Sequence, residues 1–123
     1  AIGHFSPQQR VFKYDSNADN FFIVREGKVG VEVPAVSGEP LRIQTVTDGA
    51  VMGWSWLIPP YRWLFDARVL APSVIITVNG AKLRERCDED PKLGYELMRR
   101  FATLMAERLN AARLSAIKHY TGE

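Results

Sequence analysis

FFIVREGKVGVEV, residues 21–33, sets two short β-type runs on either side of one glycine. Aromatic and β-branched residues favour a pleated, half-buried backbone, and Gly27 cuts FFIVRE from KVGVEV where the chain must turn or bend. Gly30, inside the second run, marks a bulge or a close backbone approach. The same rhythm extends outward in both directions. RVFKY (10–14) precedes the turn-rich DSNADN, and LRIQTV (41–46) lies between PAVSGEP and TDG. LFDARVLA (64–71) and VIITV (74–78) are separated by Pro72-Ser73, where proline forbids a continuous ladder. Short strands with turn chemistry between them predict an all-β sandwich or barrel over about 8–79.

At Asn79-Gly80 the pattern becomes helical, first in AKLRERC and then from Asp90-Pro91, an N-cap and first-turn pair. From there to about His119 no proline intervenes, and a helix of roughly 28 residues would run about 42 Å. Leu97, Phe101 and Leu104 form one apolar stripe. Met98, Ala102, Met105, Leu109, Ala112 and Ala116 recur at a spacing close to 3.5 residues and form a second. Two apolar faces need two partners, so the first stripe is expected on the barrel and the second on the same helix of another subunit, in a homodimer. Glu96, Arg100, Thr103, Glu107 and Asn110 form the polar face.

The chain has 123 residues, 46% hydrophobic and 24% charged, which suits a single domain over 1–123 with helices over about 80–119. A net charge of +2 from dispersed residues gives no electrostatic footprint for nucleic acid or an anionic membrane, which leaves the partner class open on charge alone, and no nucleic-acid or membrane contact by this chain is expected. Cys87 is the only cysteine, which excludes an internal disulfide and fits a reducing, cytoplasmic setting. No run approaches the ~18 apolar residues of a membrane span. The sequence starts at Ala1 and enters a strand-like pattern at once, so further N-terminal residues are expected.

GWSWLIPPYRWLFDAR, residues 53–68, gathers Trp54, Trp56, Tyr61, Trp63 and Phe65 around a Pro-Pro step. These residues either line a largely apolar pocket, with Ser55 and the amides after Gly53 as polar handles, or pack as core. A metal is not expected, because the only histidines are His4 and His119, near opposite ends of the chain. Nor do two such histidines support a Ser-His-Asp arrangement or a haem site.

Taken together, three segments resemble the cyclic nucleotide-binding domain. FFIVREGKVGVEV is similar to the family's aromatic–aromatic–Ile/Val–x–x–x–Gly–x–Val pair of strands. TDGAVMGW followed by DARV resembles the phosphate-binding cassette and the strand after it, and DPKLGYELMRRFATLMAERL resembles the final helices. The likeness is to the sensor domain of the bacterial catabolite-activator (Crp/Fnr) regulators. It implies a mainly β fold with α-helices, a double-stranded β-helix (jelly-roll) barrel followed by a short helix and a long C-terminal dimerisation helix.

The resemblance also implies a site, and here the chain departs from it. In the family a turn and short helix aim backbone N–H groups at the cyclic phosphate. A Gly-Glu step binds the ribose, and an Arg, a small residue and Ala follow some ten residues later. Gly53 aligns with the glycine and Ala67 with the alanine, which puts Trp54 at the glutamate, Phe65 at the arginine and Asp66 beside it. Losing the arginine costs about 1.5–3 kcal/mol. A carboxylate about 5 Å from a phosphate adds roughly 3 kcal/mol of repulsion at an effective dielectric near 20. Together these amount to about three to four decades of affinity. Ala112-Arg113 also replaces the threonine–serine pair that reads adenine in the activator. An offset alignment would recruit Arg62 or Arg68 instead. The expectation is a non-enzymatic regulatory sensor and dimerisation module, without cofactor, whose usual nucleotide site is lost or remodelled. The alternatives are a genuine cyclic AMP-binding domain or the sensor fragment of a Crp/Fnr-type transcription regulator.

Overall fold

The structure, a computed structural model, describes residues 1–120, with residues 115, 116 and 118–120 described by their backbone alone. Six strands precede two helices: β1 (Ile2–Phe5), β2 (Arg10–Phe12), β3 (Asn20–Val33), β4 (Leu41–Thr47), β5 (Val51–Met52), β6 (Asp66–Asn79), α1 (Gly80–Glu89) and α2 (Pro91–Tyr120). All pairings are antiparallel, in the order β1-β6-β3-β4, with β2 also on β6 and β5 on β3. The sheet is open. A closed barrel, the sequence expectation, is therefore corrected to a bent β-roll, in which β1 and β4 pair on one side only among the described strands.

Two breaks expected from sequence are bends instead. NFFIVREGKVGVEV is one strand, and so is DARVLAPSVIITVN, each of 14 residues. Around Gly27 the β3–β6 register shifts three times, between Val24 and Lys28–Val29, and the partners step from Ala71 to Val74 across Pro72-Ser73. Proline does interrupt the ladder there. A serine repairs the gap: the Lys28 N–H donates to Ser73 Oγ at 3.1 Å, and the Ser73 hydroxyl donates to the Ala71 carbonyl at 2.7 Å. The Gly27 N–H donates to Asp48 Oδ1 at 2.8 Å, which ties the bend to the turn after β4. Such bulges re-aim a strand without ending it.

Apolar residues of the bent strands converge on one core. Val24, Val29, Val46, Met52, Trp56, Val69 and Ile75 are almost fully buried, with Phe12, Phe21, Phe22 and Trp63 beside them. Both helices start at side-chain caps. Asn79 Oδ1 accepts the Lys82 N–H at 2.9 Å, and Asp90 Oδ1 accepts the Leu93 N–H at 3.3 Å. The chain divides into two compact units, one over 1–84 and one from Glu85 onward. Along α2, Phe101 is buried and Leu93, Leu97, Leu104 and Met105 are half-buried. Met98, Ala102, Leu109 and Ala112 are exposed, Leu109 by 73%. The side chain of Ala116, expected on the same stripe, lies outside the described residues.

The bend has a steric requirement at Gly27, which sits at φ 123, where an added Cβ would lie 2.1 Å from Ser73 Oγ. Gly27→Ala should therefore cost about 2 kcal/mol or more, combining backbone strain with displacement of Ser73. Urea unfolding of the variant against the wild type measures that loss.

Candidate ligand site

Residues 53–65 connect β5 to β6 through a series of tight turns. The Leu57 N–H donates to the Trp54 carbonyl at 3.0 Å, and the Tyr61 N–H donates to the Ile58 carbonyl at 2.9 Å. The following stretch zips onto the loop before β3: Asp15 N–H to the Trp63 carbonyl at 2.8 Å, Trp63 N–H to Ser16 at 3.0 Å, and Ala18 N–H to Tyr61 at 2.8 Å. A segment without regular structure thus satisfies several of its backbone groups through the neighbouring loop.

The aromatic side chains divide into two sets. Trp56 is fully buried and stacks on Phe21, with ring centroids 4.9 Å apart. Trp63 is buried and lies flat on Phe12, centroids 3.8 Å apart and planes within 10°, with Phe22 at 6.1 Å. Gly53, at φ 93, has the edge of the Trp63 ring where a Cβ would be, 2.5 Å away, so the glycine makes room for this ring. Trp54 and Phe65, expected from the sequence at the positions of the family's glutamate and arginine, are only half-buried, whereas Ser55 is buried.

The polar residues of the stretch are engaged within the protein. Asp66 is buried, and its Oδ1 accepts the Tyr14 N–H at 2.7 Å, so its carboxylate anchors the end of β2. Arg62 is exposed, and it donates to Asp15 Oδ1 at 2.8 Å, to Asn17 Oδ1 at 3.0 Å and to the Asp15 carbonyl. Arg68 grips Glu32 bidentately at 3.0 and 2.7 Å and donates to Gln8 Oε1 at 2.6 Å. The hydrogen bond to Glu32 holds the Arg68 guanidinium above its ordinary pKa, against the opposing effect of burial. The Glu32 side chain is 4% exposed, with Arg42 a further 3.9 Å away. Ala67 is fully buried on β6.

Sequence reasoning missed Glu32, Phe12 and Arg84. The signal for Glu32 was present: a carboxylate inside the apolar run VGVEV needs a partner when buried. Arg84 carried none, since a lone cation on a short helix reads as solvated. Its guanidinium lies 3.9 Å from the centroid of the Tyr61 ring, and Nη1 donates to the Trp56 carbonyl at 2.5 Å. An open surface groove of about 310 Å³ lies elsewhere, lined by residues of β1, Glu26 and Pro72–Val74, none of them from 53–67. His4 borders that groove, and the side chain of His119 lies outside the described residues. Among the described residues no three His, Cys, Asp or Glu side chains gather as a metal site.

The roll, the turn segment and α1 match a known family. Residues 2–90 match the cyclic nucleotide-binding domain. The chain belongs to that family. A cyclic nucleotide-binding protein of Geobacter metallireducens GS-15, so assigned provisionally, is 32% identical to this cyclic nucleotide-binding domain. The match covers 89% of this chain and 78% of that one, with a TM-score of 0.79. A cyclic nucleotide-binding domain from Methylobacillus flagellatus KT shares the fold at TM-score 0.80 and 16% identity, over 96% of this chain and 66% of that one. The c-di-GMP-responsive global regulator CLP of Xanthomonas campestris shares it at TM-score 0.78 and 12% identity. That match covers 96% of this domain and 58% of the regulator. Among curated proteins none matches the domain. No helix among the described residues is long and apolar enough to cross a membrane.

The Glu32–Arg68 pair gives a stability prediction for this domain. Arg68→Met leaves a buried carboxylate without its bidentate partner and should cost about 3 kcal/mol, the lower end of the range for a buried pair because Arg68 is partly exposed. The Glu32→Met/Arg68→Met double variant should recover most of that loss. Thermal unfolding of the three proteins checks both values.

Proposed function

We propose that this chain is a regulatory module, without enzymatic activity of its own, whose nucleotide site has been taken over by its own side chains. The observation that carries the reading is the commitment of the cassette segment to internal contacts. Trp63 and Trp56 are stacked and buried, Asp66 holds Tyr14, and Arg62 and Arg68 are bonded to Asp15, Asn17 and Glu32. For a cyclic phosphate to recruit Arg68, the guanidinium would have to leave a buried carboxylate, a loss comparable to the affinity gained. No resident cofactor or metal is needed for such a module, and it would act in the cytoplasm.

Regulation in this reading runs through self-association. Met98, Ala102, Leu109 and Ala112 are exposed at near-heptad spacing on α2, as a helix–helix seam requires. A second copy of the chain is the partner proposed for that stripe. Sedimentation at tens of micromolar should give a dimer, and Leu109→Glu, which puts a carboxylate on the seam, should shift it to monomer with the β-roll still folded. A strict wild-type monomer refutes this part.

The ligand half is tested by titrating cyclic AMP, cyclic GMP and cyclic di-GMP to millimolar concentration. Tryptophan fluorescence and melting temperature are followed together, because Trp54, Trp56 and Trp63 all lie in the segment. No saturable change is expected. A ligand-dependent rise in melting temperature, as linkage demands of any binder, would establish a working nucleotide site and overturn the filled-site reading.

A further inference from the structure

Three independent contacts join α1 to the turn segment, all within the compact unit of residues 1–84. Arg84 donates to the Trp56 carbonyl at 2.5 Å, and its guanidinium covers the Tyr61 ring at 3.9 Å. At the start of the same helix, Gly80 meets the Trp56 ring so closely that an added Cβ would lie 2.9 Å from it. The Ala81 N–H donates to the Asp19 carbonyl at 2.8 Å, which fixes the first turn of α1 to the loop that the segment zips onto. Tyr61 itself sits at φ 57, a conformation that a non-glycine residue keeps only where its surroundings enforce it.

We infer that Arg84 is a positioning residue that clamps residues 54–61 in the turn conformation they adopt in this structure. A cation over an aromatic face and a charge-assisted bond to a carbonyl act on opposite ends of one turn, so together they fix its width. The carbonyl of Trp56 and the ring of Tyr61 are five residues apart in sequence, and one guanidinium reaches both. The clamp sits on α1, at the last residue of the unit of residues 1–84. The inference extends the filled-site reading but does not depend on it, because its test uses no ligand.

Hydrogen–deuterium exchange of the full chain, wild type against Arg84→Met and Arg84→Lys, decides the matter. Arg84→Met should raise exchange in 54–62 about tenfold, the loss expected from one partly desolvated cation–π contact and one charged hydrogen bond, with β3 and β6 unchanged. Arg84→Lys keeps the charge and one donor and should recover most of the protection. Tyr61→Leu removes the ring alone and should give a smaller rise, which keeps the test open if Arg84→Met does not fold. Unchanged exchange in 54–62, an equal rise throughout the sheet, or no rescue by lysine overturns the inference.

Discussion

Trp63 lying flat on Phe12 is the contact around which the roll is organised. Phe12 comes from β2, Phe22 from β3 and Trp63 from the segment between β5 and β6, so one stack joins three parts of the chain that are far apart in sequence. Burying an indole contributes about 4–6 kcal/mol as an upper bound, and favourable ring geometry adds about 0.5–1.5 kcal/mol. The turns of residues 53–63 follow from that anchor. Gly53 leaves space for the ring, and the backbone on either side of Trp63 bonds to Asp15 and Ser16.

The polar contacts work at a second level, holding orientation where apolar burial cannot. Asp66 secures the end of β2, and Glu32 with Arg68 crosses between β3 and β6. Arg84 reaches from α1 to the turn. Each is a charged group bonded to a fixed partner, and each is costly to separate because its partner is partly or wholly desolvated. Cys87 has no comparable role. Burial and the neighbouring Asp88 and Asp90 carboxylates push its thiol pKa up, which keeps it protonated and poorly nucleophilic near neutral pH.

Much of the architecture could be read from residue pattern. Alternating β-branched runs located the strands, Asp90-Pro91 located the start of α2, and the exposed stripe through Met98 and Leu109 was visible as a spacing. The two bends were misread as breaks because glycine and proline mark both. What separates a break from a bulge is a replacement hydrogen bond, and Ser73 supplies it from a position that carries no distinctive sequence signal. The aromatic segment was legible as unusual and ambiguous in meaning. Trp54 and Phe65 drew attention through alignment, yet the deeply buried rings are Trp56 and Trp63.

By itself the sequence indicated the family and the change from β-strands to helices at Asn79-Gly80. These properties depend on residue type and spacing along the chain. Only the tertiary structure decided that the sheet stays open, that Trp63 meets Phe12, and that Arg62, Arg68 and Arg84 each have an internal partner. Those outcomes depend on which of several available carboxylates, carbonyls and rings lies within about 3–4 Å of a given side chain, a distance that bonding and packing criteria make decisive. A linear pattern fixes which groups exist, and long-range register fixes which of them meet.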